Sequence, residues 1–464
     1  MQLRSSIDAT AFPAVATGTA AELMALQRQL DASQWWPADR MRAAQFCQLR
    51  ELLHHAARHV PFHAERLRQA GIDPAAEVTE ENWPRIPTLT RREVQTLGDA
   101  LTARQTPPSH GPLTEATSGG SSGVPVRVRK TALALLMWNA MHVREEIWHR
   151  EDPTAMMARI RRVLPGLNAE QAAAMFTPQG LMLPHWGQPT NLLWQTGPIA
   201  LQDDRVPIPD QIALMQSVQP AYLYCFPANL RLLLAHCRET GARFPTLRSV
   251  WTFSETVDDT LRAMCREIFG CRIVHNYTSA EAGYMALQCP EHDHFHVQSE
   301  ANLLEVLRPD GTACQPGEIG KVVVTPLHNF ATPLIRYEIG DEAEVGEPCA
   351  CGRGLAVLRR IVGRTYDYVT MPDGRRRRVD TGHYRISEIQ AVREFQLAQR
   401  TRDRIELLVV LARPLTAAET ATILDVLEKE FGPDFIFDIT THDRIARTEA
   451  GKLRAFVSDL PAAG

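Results

Sequence analysis

TSGGSSGVPV, from Thr117 to Val126, packs three glycines and three serines into ten residues, with a proline next to its end. Glycine lets successive backbone N–H groups converge with no Cβ in the way, and serine hydroxyls add further donors. Such a nest suits the oxyanions of a nucleotide phosphate. It is not a P-loop, because Gly123 is followed by Val124 where that motif needs lysine. The competing reading is a flexible surface loop or linker. The proline, and the strand-like VPVRVRK that contains it, favour a shaped hairpin instead. The loop alone decides nothing.

Working outward, a chain of 464 residues is too long for one ordinary core, so two or more domains are expected. A hydrophobic content of 44% and a charged content of 22% are those of an ordinary soluble protein. The net charge of −4 gives no reason to expect nucleic acid or a membrane as partner. Met1 to Val15 carries one arginine and no apolar run, which reads as neither a signal peptide nor an anchor. The longest apolar run, Ala132 to Trp138, is far short of a membrane span. Nine cysteines in so long a chain do not suggest a disulfide framework, so a cytoplasmic location is expected.

Along the chain, helical spacing runs from Ala20 to Ala70 and breaks at Pro61. TALALLMWNAMHVREEIWH reads as an amphipathic helix, and Pro153 to Asp210 shows no dominant period. AYLYCFPANLRLLLAHC reads as a buried strand followed by a helix. LRSVWTFSE and CRIVHNYTS read as two more strands, with the helix DDTLRAMCREIFG between them. Strands alternating with helices argue for a mainly parallel α/β sheet. From NLLEVLRPDG to GKVVVTPL the pattern turns to hairpins, with Asp310-Gly311 as a turn signal. After a break near IVGRTYDYV, the tail reads as two strands, the helix AAETATILDVLEKEFG and a last strand near FDITTHDRI.

Four further stretches bear on the glycine loop. NYTSAEAG (Asn276 to Gly283) follows an expected strand and sets one carboxylate, Glu281, near its end. LIRYEIGDEA (Leu334 to Ala343) sets Asp341 just after a strand–turn signal. IVGRTYDYV (Ile361 to Val369) sits at the domain break, and ARTEAGKLRAF (Ala446 to Phe456) puts Lys452 on a glycine-flanked loop. Taken singly, Glu281 and Asp341 read as solvated or capping carboxylates and Lys452 as a surface lysine.

In this order and at these separations, the five stretches resemble the adenylate-forming superfamily, and within it the phenylacetate–CoA ligase-like branch. The branch's loop reads Ser/Thr-Gly-Gly-Ser/Thr-Ser/Thr-Gly-x-Pro, and Ser118 to Pro125 fits it at every position. Its opening pattern is present in VPFHAERLRQAGI and IPTLTRREV. The resemblance covers most of the chain and is weakest from Pro153 to Asp210. It implies an α/β fold: a large N-terminal domain, 1–363, with mainly parallel sheets and a β-rich subdomain, and a small mobile α+β C-terminal domain, 364–464.

The resemblance also assigns roles. An acyl-adenylate forms when a carboxylate attacks the α-phosphate of ATP, so the site must neutralise charge and align two anions. Ser118, Ser121, Ser122 and Gly123 are then expected to grip the leaving pyrophosphate. Glu281 matches the Mg²⁺ ligand, a hard oxygen for a hard cation. Asp341 matches the carboxylate that accepts the ribose hydroxyls. Asn276, Tyr277 and Thr278, with Ser254 and Glu255 of TFSET, are expected around the nucleotide. Lys452 matches a lysine that reaches between carboxylate and α-phosphate, an electrostatic clamp on developing charge. Asp367 matches the hinge about which the small domain rotates before thioester formation, and Arg364 the arginine of that motif. The resemblance also implies coenzyme A as the acyl acceptor, with an amine or a carrier protein as the alternative, and family members are often homodimers. Two departures stand out: Thr278 replaces a glycine, and Ala280 lacks a hydroxyl that would donate to the AMP phosphate, which Ser279 or Thr278 would have to supply.

CPEHDHFH (Cys289 to His296) offers one thiolate and three imidazoles, and CACGR (Cys349 to Arg353) two thiolates. Three sulfurs and one nitrogen make a closed tetrahedral zinc set. The branch's structural zinc points to Cys289, His296, Cys349 and Cys351, with His292 and His294 as alternatives to His296. The other six cysteines read as buried, His54, His55 and His59 as surface, and Trp35-Trp36-Pro37 as an anchoring turn. The run DGRRRRVD (Asp373 to Asp380) reads as a solvated hairpin, or as a contact for coenzyme A phosphates. Three functions are therefore in view. The first is a carboxylate–CoA ligase for an aromatic or arylacetic acid. The second is an acyl-adenylating enzyme serving an amine or a carrier protein. The third is a zinc-stabilised binding scaffold that has lost catalysis.

Overall fold

The computed structural model describes residues 2–73, 78–117, 126–163, 166–364, 368–378, 386, 389–447, 453–454 and 456–460. The chain divides into two compact units. The first comprises Met1–Ala155, Pro184–Pro198 and His275–Gly363; the second comprises Met156–Leu183, Ile199–Val274 and Arg364–Gly464. The chain thus passes between units at Gly363, while 364–464 shares its unit with two earlier segments.

The first unit is built on a largely antiparallel sheet. Its strands are ordered Asn302–Leu307, Ile319–Pro326, Tyr337–Val345, Val357–Arg364, Phe295–Val297, Gly283–Gln288 and Arg272–Ser279, the last entering from the second unit. The registers resolved between these neighbours are antiparallel. The two-residue strand Leu89–Thr90 runs parallel to its partner, Tyr337–Val345. Val322 and Val324, Tyr337 and Ile339 alternate into a core with Leu89, Val94 and Met285, as one buried sheet face requires. The helices Gly18–Ser33, Ala38–His59 and Pro61–Gln69 fill the Ala20–Ala70 span. Pro61 stands at the first position of its helix, where a missing N–H costs nothing. Thr131 caps the helix Ala132–Trp148, its hydroxyl accepting from Ala134 N–H at 3.2 Å.

That helix departs from the amphipathic expectation. Arg144, Glu145 and Glu146 are consecutive and all buried. Arg144 is satisfied by Glu300 at 2.7 and 3.0 Å, Gln298 at 2.9 Å and the Leu30 carbonyl at 2.6 Å. A buried charge persists only when so paired. His55 is also buried, with Nε2 2.9 Å from the Phe330 carbonyl oxygen, which corrects its surface assignment. Trp35 is half exposed under the Arg353 guanidinium, and Cys47 is exposed, whereas Cys225, Cys237, Cys265, Cys271 and Cys314 are buried as expected.

The second unit holds the parallel sheet. Ser249–Thr252, Tyr222–Cys225, Met157–Ile160 and Ile199–Gln202 pair in parallel in that order, and Leu181–Leu183 closes the edge antiparallel. Three of these strands lie between Pro153 and Asp210, where the sequence showed no period, because each is only three or four residues long. Ala158, Ile160, Leu223, Cys225 and Val250 pack against the helices Ile208–Val218, Pro227–Thr240 and Asp259–Phe269. The tail forms a second sheet, ordered Ile436–Thr441, Arg404–Leu411, Val392–Thr401 and Phe456–Ser458. Helix Ala417–Phe431 lays Ile423, Leu427 and Phe431 on that sheet. Its last strand is Phe456–Ser458, one beyond the strand expected near FDITTHDRI. No described helix is long and apolar enough to cross a membrane.

Candidate functional site

The first unit gathers the carboxylates of the sequence motifs. Strand Arg272–Ser279 turns back into Gly283–Gln288, and Gly283, at φ +88°, adopts a backbone geometry that side-chain-bearing residues avoid. Glu281 lies in this turn, buried. Its Oε1 accepts from Arg91 at 2.8 Å and from the Tyr337 hydroxyl at 3.3 Å, while Arg91 also donates to that hydroxyl at 3.2 Å. Arg91 owes its place to a capping box. Thr90 and Glu93 satisfy each other's backbone N–H groups and start the helix Arg91–Leu97 at the arginine itself. Sequence reasoning missed Arg91, although the Thr-x-x-Glu pattern signalled where that helix begins.

A second cation faces Glu281. Lys130 is buried, its ammonium 5.0 Å from the Trp138 ring centroid. Burial pulls its pKa down to about 8, against the pull of Glu281. Lys130, Trp138, Glu281, Gly283, His328 and Asn329 line a cavity of about 40 Å³, room for one water.

Tyr277 donates its hydroxyl proton to Asp341 Oδ2 at 2.8 Å, so two residues assigned to the nucleotide meet directly. Asn276 turns its amide inward. Nδ2 donates to Glu145 Oε2 at 3.2 Å, and Oδ1 accepts from the Thr278 hydroxyl at 3.4 Å. Burial pushes the Glu145 carboxyl up to about 8, so it is largely protonated at neutral pH. Ser279 Oγ accepts from Ala282 N–H at 2.9 Å, which leaves the hydroxyl proton to donate elsewhere.

In the second unit, Ser254 adopts φ +71° and carries the chain into Glu255. Glu255 Oε2 accepts from Ala228 N–H at 2.9 Å, in the first turn of helix Pro227–Thr240, and Oε1 accepts from Leu453 N–H at 3.0 Å. Leu453 directly follows Lys452. Lys452 itself, Asp367, and Ser118, Ser121, Ser122 and Gly123 lie outside the described residues. The strands flanking the glycine loop, Leu113–Thr117 and Arg127–Thr131, pair antiparallel with Thr117 opposite Arg127. Arg364 ends strand Val357–Arg364. In the arginine run, Arg375 pairs with Asp373 at 2.6 Å and Arg376–Arg378 form a short strand.

The sulfur cluster assembles within the first unit. One ligand atom from each of Cys289, His296, Cys349 and Cys351 lies within 4.8 Å of all the others. Cys289 Sγ is 3.9 Å from Cys349 Sγ, and Cys351 Sγ is 3.4 Å from His296 Nε2. A tetrahedron with metal–sulfur bonds of about 2.3 Å has edges of about 3.8 Å, so the donor set fits zinc in number, softness and spacing. Burial lowers the His296 pKa to about 4, which keeps the imidazole in its ligating, neutral form. His292 and His294 stack on each other, their rings 5.1 Å apart, and neither belongs to the set.

No family model matches the chain. Over 347 residues it is 26% identical to the phenylacetate-coenzyme A ligase of Thermus thermophilus, across 71% of this chain and 72% of that one. The chain is thus similar in sequence to an adenylate-forming ligase. Over 225 residues, 46% of each chain, it is 24% identical to protein CapK of Staphylococcus aureus. A crystal structure of 2-hydroxyisobutyryl-CoA ligase, in its postadenylation state with R3-HIB-AMP, shares the fold. It has a TM-score of 0.68 and 18% identity, covering 92% of this chain and 91% of that one.

Proposed function

We propose that this AMP-forming ligase activates an aromatic or arylacetic acid with Mg-ATP and passes the acyl group to coenzyme A. The observation that carries this reading is the meeting of Tyr277 with Asp341 in the same unit as Glu281, in a chain homologous to a phenylacetate–CoA ligase. In the first half-reaction, an oxygen of the acid attacks the α-phosphorus of ATP and the bond to pyrophosphate breaks. The serine-rich loop 118–125 holds the leaving group, and Asp341 accepts the ribose hydroxyls. Lys452 neutralises charge growing between the carboxylate and the α-phosphate. Glu281, whose Oε1 is engaged by Arg91, has Oε2 as its oxygen for Mg²⁺, a cation that would offset phosphate charge. In the second half-reaction, the thiolate of coenzyme A attacks the acyl carbon and AMP leaves.

The domain 364–464 is the moving part in this reading, with Asp367 as its hinge. Zinc at Cys289, His296, Cys349 and Cys351 supplies rigidity only, since four protein ligands close the site. A cytoplasmic location keeps those thiols reduced. Product analysis tests the reading. Acyl-AMP should accumulate without coenzyme A, and acyl-CoA plus AMP should form with it. ADP as the nucleotide product would contradict it.

A further inference from the structure

The parallel sheet of the second unit ends in an arrangement that the chemistry above does not use. Strands Met157–Ile160, Tyr222–Cys225 and Ser249–Thr252 are neighbours, and their carboxyl ends lead into Arg161, Phe226 and Phe253. Open parallel sheets bind ligands outside that edge. Ser254 and Glu255, assigned to the nucleotide, follow Phe253 directly. Side chains alternate along strands, so with Ala158, Ile160, Leu223, Cys225 and Val250 in the helical core, Arg159, Tyr224 and Trp251 fall on the opposite face.

Two guanidiniums and two rings stack on this face. The Arg161 guanidinium lies 5.0 Å from the Phe253 ring centroid, and that of Arg159 lies 5.1 Å from the Tyr224 centroid. The two rings are 4.9 Å apart. A cation drawn out of water calls for an anion. Three described carboxylates near this end of the sheet already have partners. Asp203 binds Arg205 at 2.7 Å, Asp204 faces Arg162 at 3.2 Å, and Glu255 receives two backbone N–H groups. Arg159 meets the Met157 sulfur at 3.6 Å. Among the described residues it has no carboxylate partner, and its shielded Nε donates to no acceptor.

We propose that Arg159 and Arg161 select an acid bearing a second carboxylate. One carboxylate is adenylated near the sheet edge, beside Arg161; the body of the acid lies against Tyr224 and Phe253; the remote carboxylate is held by Arg159. Two residues along a strand span roughly 6.6 Å, about the reach from one carboxylate to the other across a benzene ring. This inference rests on the ligase reading.

The test compares acids that differ only in the second anion: benzoate with terephthalate, phenylacetate with 4-carboxyphenylacetate, and hexanoate with adipate. Each is measured by calorimetric binding without ATP and by ATP-dependent pyrophosphate release. The dicarboxylate of at least one pair should be preferred by about 10-fold or more in kcat/KM. Arg159→Met should lower that preference by about 30-fold, mainly through KM, and leave the paired monocarboxylate within about 3-fold. Arg159→Lys, which keeps charge but not the planar fork, should fall between. Preference for the monocarboxylates, or an equal loss for both members of a pair in Arg159→Met, would overturn the proposal. The ligase reading is judged separately. Dicarboxylate binding that Arg159→Met abolishes, with no pyrophosphate release from any acid, would keep this site and remove that reading. Release confined to monocarboxylates would keep that reading and remove this site.

Discussion

Glu281 is held between Arg91, bonded at 2.8 Å, and the buried Lys130. A carboxylate so flanked is fixed in direction, as a ligand for Mg²⁺ would need to be. Lys130 also leaves a signature in stability. Its pKa falls from 10.5 to about 8 on folding. Between those pH values the unfolded chain keeps a proton that the folded chain has released, so this group makes stability rise with pH across the window. Relative to Lys130→Met, the wild type should gain up to about 3 kcal/mol over that range in urea denaturation. A constant difference between the two would refute the placement of Lys130. Glu281, Asp341 and Tyr277 could be singled out in the sequence because their motifs fix residue type and order together. Arg91, Lys130 and Glu145 were not, since a charged residue on a short periodic segment defaults to the solvent side. Only partners distant in sequence, such as Glu300 for Arg144 or Asn276 for Glu145, make burial tolerable.

At the scale of elements, the long helices and the strand–helix alternation from Tyr222 to Ser279 followed from periodicity, and the structure has them where expected. The strands between Met157 and Gln202 escaped notice because three or four residues cannot display a period. The hairpin expected from Asn302 to Leu327 is present as the antiparallel pair Asn302–Leu307 and Ile319–Pro326, and the alternating segment pairs Tyr222–Cys225 with Ser249–Thr252 in parallel; register is a non-local property. The cysteine cluster shows the same dependence. Cys289 and His296 lie on or beside the hairpin Gly283–Gln288 and Phe295–Val297, and Cys349 and Cys351 come from a loop about 60 residues later. If a metal ties these elements together, a strong chelator should release close to one zinc per chain and lower Tm by about 5 °C or more. Cys351→Ser should reproduce the loss without chelator. A chain that holds no zinc and is indifferent to chelation would remove the metal from the account.

At the scale of the molecule, the residues assigned to ATP are distributed along the whole chain. The glycine loop is near residue 120, Glu255 to Glu281 and Asp341 are central, and Lys452 is close to the end. Their order was readable; the contacts made by the loop and the lysine fall outside the described residues. Glu255 nonetheless receives the N–H of Leu453, the residue after Lys452, so one end of that lysine's segment is anchored on a residue of the nucleotide set. The most direct measurement is therefore acid-dependent pyrophosphate release from Mg-ATP, with aryl, arylacetic and dicarboxylic acids, for the wild type beside Lys452→Ala. Release that requires an acid and falls by about 100-fold or more in the variant is the predicted result. Release indifferent to the acid, or equal in wild type and variant, would contradict the assignment of Lys452 and the adenylation chemistry built on it.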